Sequence, residues 1–139
     1  MNFNPKTEKE IAESKLMPKG EYDFEVVDAF EKLSKSSGKP MIELRLKVSN
    51  GNNGRTLTDY LSIDRQEKLR HAADACGLLD KYNAGSVSNS DFRGKRGRLK
   101  LGIEKDRTHT YPDKNIVLDY VIASRLSEGA GPSPLSFRN

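Results

Sequence analysis

Polar and apolar residues alternate along this chain in five separate runs, and between the third and fourth runs the spacing changes from that of a strand to that of a helix. In the first run, Tyr22, Phe24 and Val26 alternate with Glu21, Asp23 and Glu25, the period of a strand with one face in the core. At Val26-Val27 the pattern slips, and Val27 and Ala29 take over the apolar parity. A β-bulge produces such a slip; a short strand section buried on both faces is the alternative. In the second run Ile42, Leu44, Leu46 and Val48 point one way, and Met41, Glu43, Arg45 and Lys47 the other. Asn50-Gly51-Asn52-Asn53-Gly54 then reads as a glycine-rich hairpin turn. It leads into a third strand with Leu57, Leu61 and Ile63 on one face and Thr56, Thr58, Tyr60 and Ser62 on the other. Asp59 has core parity in this strand, and the local pattern gives no reason for it.

The helical stretch follows at once. Asp64 is placed to cap it, with Glu67 three residues on to complete a capping box. Leu69, Ala72, Ala73 and Cys76 form a narrow apolar stripe suited to packing on a sheet. Gly77 is placed to end the helix in a left-handed cap, with Leu78 and Leu79 covering its end. Asp80 to Gly85 and Ser86 to Phe92 read as loop, with one helical turn as an option over Ser88–Phe92. Alternation returns in Arg98-Leu99-Lys100-Leu101-Gly102-Ile103, and again where Ile116, Leu118, Tyr120 and Ile122 alternate with Val117, Asp119 and Val121.

Three strands, a helix and two strands is the order of the oligonucleotide/oligosaccharide-binding (OB) barrel. The expectation is therefore a mainly β fold, a five-stranded OB-type Greek-key barrel with one helix between strands 3 and 4. Residues 20–123 form this domain. Residues 1–19 are a lead-in, either a short helix or a flexible segment up to the turn at Pro18-Lys19-Gly20. Residues 124–139, rich in Ser, Gly and Pro, have the composition of a flexible tail.

The barrel order gives meaning to three basic stretches. Between strands 1 and 2, Lys32 to Lys39 carries Lys35 and Lys39 among small polar residues, and reads as a cationic flap or a solvated hairpin loop. Between strands 4 and 5, Lys105 to Lys114 holds Lys105, Arg107, His109, Tyr111 and Lys114. Cations with a ring among them suit a single strand, because cations neutralise phosphates and any base stacks on an aromatic face. The outer face of the hairpin of strands 2 and 3 collects Arg45, Lys47, Thr56, Thr58 and Tyr60, and both loops are expected to converge with it on one groove. The densest basic run, Arg93-Gly94-Lys95-Arg96-Gly97-Arg98, is either a surface turn or a phosphate contact.

Composition narrows the field. The 139 residues allow one domain, and a net charge of +4 permits an anionic partner without demanding one. Cys76 is the only cysteine, so no internal disulfide is expected, and a cytoplasmic setting is the natural reading. No apolar run is long enough for a membrane span. His71 and His109 have no companion ligands at metal spacing. Asp59, Glu104 and Asp119 lie on different strands, in no pattern of a catalytic pair. No nucleophile elbow and no phosphate-binding loop ending GKS/T occurs. No catalytic residue, metal or cofactor is expected, and the chain reads as a binder.

Four segments carry a resemblance: Met17-Pro18-Lys19-Gly20-Glu21-Tyr22-Asp23-Phe24-Glu25-Val26-Val27-Asp28-Ala29, Ser36-Ser37-Gly38-Lys39-Pro40-Met41-Ile42-Glu43-Leu44, Gly77-Leu78-Leu79-Asp80-Lys81-Tyr82 and Tyr111-Pro112-Asp113-Lys114-Asn115. Together they resemble a family of small bacteriophage and prophage proteins encoded among replication and recombination genes. That resemblance spans roughly residues 15 to 122. It implies an OB-fold, single-stranded-DNA-binding protein of the host bacterial cytoplasm that coats or protects DNA during replication or annealing. It leaves room for phage or host replication and recombination proteins, and for a second copy of the chain, as partners. The binding residues expected here, Lys35, Lys39, Arg45, Lys47, Tyr60, Lys105, Arg107, Tyr111 and Lys114, come from the barrel argument and not from the resemblance. An OB-type adaptor for a host or phage protein, and an RNA binder, are the alternative readings.

Overall fold

A computed structural model describes residues 1–51 and 53–123. The protein is mainly β, built on a single antiparallel sheet of five strands in the order β3-β2-β1-β4-β5. The strands are β1 (Gly20–Leu33), β2 (Pro40–Asn50), β3 (Asn53–Ser62), β4 (Arg96–Glu104) and β5 (Lys114–Tyr120). The five runs of alternation thus become five strands. Their inner faces supply the core, in which Val26, Leu44, Leu46, Val48, Leu99 and Leu101 are wholly buried. Burying one such side chain stabilises the fold by about 1.5–3 kcal/mol.

The slip in β1 is a bulge, with the register against β2 shifting between Val26 and Asp28. Ala29 is buried beyond it, but Val27 is half exposed and does not share the inward parity expected of it. The bulge turns Asp28, Phe30 and Lys32 to the outer face, opposite Arg45, Glu43 and Met41. A second shift lies where β4 meets β5: Lys100 pairs with Asp119 and Leu101 with Val117, so Leu118 is the extra residue. Its side chain takes up the space over Gly102, where a Cβ would stand 2.7 Å from a Leu118 methyl carbon.

The segment between β3 and β4 is more helical than a single helix. A 3-10 turn (Ile63–Arg65) leads into α2 (Gln66–Ala75), followed by α3 (Leu79–Asn83) and α4 (Asn89–Phe92); α1 (Glu8–Glu13) lies in the lead-in, capped by Thr7 and Glu10. The stripe of α2 is buried as its spacing predicts. Gly77 adopts φ 75°, and the bonds Leu78 N to Ala73 O and Gly77 N to Asp74 O close a Schellman cap. The start of α2 differs from expectation. Ser62 Oγ accepts from Asp64 N, and α2 begins at Gln66 with no side-chain cap. Asp64 is instead drawn to Lys39 Nζ at 2.9 Å. The helix α3, expected as loop, is held by Leu78, which is buried, and Tyr82, which packs on the core.

The edge strands β3 and β5 lie side by side without a backbone ladder between them. Side chains join them. Arg55 Nη1 donates to Asn115 Oδ1 at 3.3 Å, and Tyr120 Oη donates to Asp59 Oδ2 at 2.7 Å. Lys68 of α2 donates to Asp59 Oδ1 at 2.8 Å and to the Val117 carbonyl at 2.9 Å. Asp59, the unexplained acid with core parity, is thus the acceptor for two donors at this seam. His71 Nδ1 lies 2.9 Å from Asp119 Oδ1 and adds a further tie from α2 to β5.

The lead-in is fastened to the same edge. The Asn115 side chain is buried and acts as a one-residue strand partner, accepting from Met17 N and donating to Met17 O, both at 2.9 Å. The tail from Ser124 lies outside the described residues.

Candidate nucleic-acid interface

The outer face is read in rows across β3, β2 and β1. Tyr60 stands opposite Glu43, and Glu43 opposite Phe30. Thr58, Arg45 and Asp28 form the next row, and Thr56, Lys47 and Glu25 the one after. Arg45, Lys47 and Tyr60 are therefore brought together on one exposed surface. Tyr60 keeps 48% of its surface in solvent, and Lys47 makes no ion pair among the described residues.

Two features of this face escaped the sequence reading, the presence of Phe30 and the burial of Glu43. Phe30 lies under Arg45, whose Cζ is 5.0 Å from the ring centroid, a cation–π contact. The bulge is the signal: beyond it, Phe30 shares parity with the polar Asp28 and Lys32. The burial of Glu43 is the second, and only 4% of it is exposed despite its place on the outer face. Lys32 pairs with one of its oxygens and Arg45 Nε lies 3.4 Å from the other. The bond from Lys32 holds the Glu43 carboxyl below its usual range, and the same bond raises the Lys32 ammonium. The charge of Arg45 is thus partly spent within the protein.

In the basic run that enters β4 the three arginines are paired. Arg93 Nε lies 3.2 Å from Asp28, Arg96 Nη2 3.6 Å from Glu25, and Arg98 Nη1 2.8 Å from Asp23. The last two are cross-strand pairs, all three acids belong to the outer row of β1, and the run behaves as a turn and strand. Gly97 within it serves packing: a Cβ there would meet the Ala75 carbonyl at 2.9 Å and the Phe24 ring at 3.0 Å. Helix α2 ends directly against β4 at that point.

The two loops differ from flexible flaps. Lys39 is bound to Asp64 and staples the β1–β2 loop to the 3-10 turn, while Lys35 is exposed and makes no ion pair among the described residues. The β4–β5 loop is wound about one carboxylate. Asp106 Oδ2 accepts from Tyr111 N at 2.7 Å and from Thr110 N and Thr108 Oγ1 at 2.8 Å. These bonds, led by that from Tyr111, hold the Asp106 carboxyl below its usual range. Tyr111 is left 70% exposed. Lys105 and Arg107 are exposed, and Lys114 lies 3.4 Å from Glu104. The loop leans on α1 through Lys9 Nζ to His109 O at 3.1 Å.

Register sets these loops apart. One leaves the sheet where Leu33 pairs with Pro40, the other beyond the pairing of Gly20 with Leu101. They leave from opposite ends of β1, so Lys105, Arg107, Tyr111 and Lys114 form a cluster separate from the loop of Lys35 and Lys39. No protein-family model matches the chain, and comparison with curated proteins finds no similar sequence.

Among the described residues no group of His, Cys, Asp and Glu is arranged to hold a metal ion. Burial pushes the Cys76 thiol up to about 12, so it stays protonated at neutral pH. Among the described residues no helix is long and apolar enough to cross a membrane.

Proposed function

We propose that the protein binds single-stranded DNA without sequence preference, on the outer face of β1, β2 and β3, and does no chemistry of its own. The observation that carries this reading is the pair of aromatic residues Phe30 and Tyr60 flanking Glu43 on an exposed face, with Arg45 and Lys47 in the adjoining rows. Bases stack on Tyr60 while Lys47 and Arg45 follow the backbone, with Lys35 and Lys39 at one end of the path. The cluster of Lys105, Arg107, Tyr111 and Lys114 extends it at the other. The sheet on this reading is an OB-type Greek-key barrel. Its supporting feature is the side-chain seam, in which Arg55 and Asp59 of β3 meet Asn115 and Tyr120 of β5 in the same chain order, the sense of two parallel neighbours. The phage replication and recombination setting, in the host cytoplasm, rests on the resemblance of the four quoted segments.

With five tyrosines and no tryptophan, quenching of tyrosine emission reports stacking directly. Titration with oligo-dT, oligo-rU and duplex DNA at two salt concentrations tests the proposal. Oligo-dT binds most tightly, and log K falls against log salt by about 0.7 for each phosphate neutralised. Equal competition by duplex, or a flat salt response, overturns it; tighter binding of oligo-rU makes RNA the ligand.

A further inference from the structure

An open groove of about 740 Å³ lies where the lead-in crosses the starts of β1 and β3. Arg55 is the residue that sets its character. In β3 it has the inward parity of Leu57, Asp59 and Leu61, and it stands near the start of the strand, opposite the buried Val48. Its Nη1 donates to the Lys15 carbonyl at 3.1 Å and to Asn115 Oδ1 at 3.3 Å. Both acceptors are neutral, and Arg55 has no carboxylate within ion-pair distance among the described residues. The guanidinium is thus positioned but not neutralised. Lys15 and Lys19 line the same groove, both exposed and without an ion pair among the described residues. Among the described residues the one carboxylate on its wall is Glu21, which faces Arg98 at 3.8 Å.

A fixed guanidinium has donors to spare in planar array, and two lysines supply mobile charge beside it. We infer that this groove is a phosphate-ester site, with Arg55 as its fixed donor and Lys15 and Lys19 closing over the ligand. A nucleotide phosphate and the backbone of a nucleic acid share that chemistry. The inference stands apart from the proposed outer-face function, since none of Phe30, Glu43, Arg45, Lys47 and Tyr60 lines the groove.

The test is a heteronuclear NMR titration of the full chain with inorganic pyrophosphate, dTMP and oligo-dT in parallel. Pyrophosphate is expected to give saturable shifts at the Arg55 side-chain Nε–H and at the amides near Lys15 and Lys19, with Tyr60 and Lys47 unmoved. The double variant Lys15→Gln/Lys19→Gln, which removes no side-chain hydrogen bond among the described residues, weakens that binding by about tenfold. Arg55→Lys abolishes it where the variant remains folded. Groove shifts with dTMP and pyrophosphate but not oligo-dT make the ligand a free nucleotide; groove shifts with oligo-dT make it a nucleic-acid backbone. Absence of saturable groove shifts with all three, or unchanged pyrophosphate affinity in the double lysine variant, overturns the inference.

Discussion

Tyr120 on β5 donates its phenol to Asp59 on β3 at 2.7 Å, across a seam that has no backbone ladder. Lys68 reaches the other oxygen of the same carboxylate from α2, and both ionic side chains are only 12% exposed. Removing one member of such a pair leaves a buried charge without its counterion, which costs about 3–5 kcal/mol. Asp59→Ala is therefore the most damaging single change at the seam. Tyr120→Phe removes one bond to a charged acceptor and costs about 1.5–3 kcal/mol. Urea unfolding checks both; an unchanged midpoint for Asp59→Ala shows that the seam contributes nothing.

The same phenol predicts an alkaline limb. Burial, then the Asp59 charge, raises the Tyr120 phenol well above its ordinary value. The folded protein keeps this proton where the unfolded chain releases it, near pH 10. Stability is fully present below that pH and falls as pH rises toward the folded-state value, by about 1.4 kcal/mol per pH unit. Tyr120→Phe starts from a lower stability and shows a flatter limb. Urea midpoints measured across the alkaline range read the difference.

Gly97→Ala tests the contact between helix and sheet. The added methyl has to displace a main-chain carbonyl at Ala75 and the Phe24 ring, overpacking that costs about 1–3 kcal/mol. Thermal unfolding and the amide shifts of α2 report it. A fully stable variant with unshifted α2 amides refutes the close approach.

On the outer face, neighbouring residues are predicted to act with opposite signs. Tyr60→Ala loses a stacking platform and weakens oligo-dT binding by about 1–3 kcal/mol. Glu43→Gln removes the anion set between Lys32 and Arg45, frees their charge for phosphates and tightens binding by about fivefold. The salt slope steepens in the second variant only. Weaker binding in Glu43→Gln means that the carboxylate positions Arg45 over Phe30 more than it neutralises it.

The parts of this fold that depend on neighbours in sequence were legible: the five alternating runs, the bulge after Val26, the stripe of α2 and the left-handed cap at Gly77. What sequence alone missed was decided by partners far along the chain. Asp59 is intelligible only beside Tyr120 and Lys68. The basic run from Arg93 to Arg98 stayed open between a surface turn and a phosphate contact because the acids that pair its arginines, Asp23, Glu25 and Asp28, lie on another strand. Phe30 sits on the outer face only because the bulge reverses parity, and α3 is too short for its five residues to announce a helix without Leu78 and Tyr82 packed beneath. At the candidate site, Arg45, Lys47 and Tyr60 were grouped correctly on one face. Strand pairing, which local pattern does not encode, put the two loops at opposite ends of β1.

A seam made of side chains leaves main-chain amides and carbonyls along both edge strands unspent, and an open row of that kind is a template for a foreign strand. Lys68 occupies the Val117 carbonyl with an ammonium group, and the extra residue at Leu118 interrupts the regular spacing of β5. Lys68, which bridges Asp59 of β3 and the Val117 carbonyl of β5, thus withholds one edge acceptor from a foreign strand.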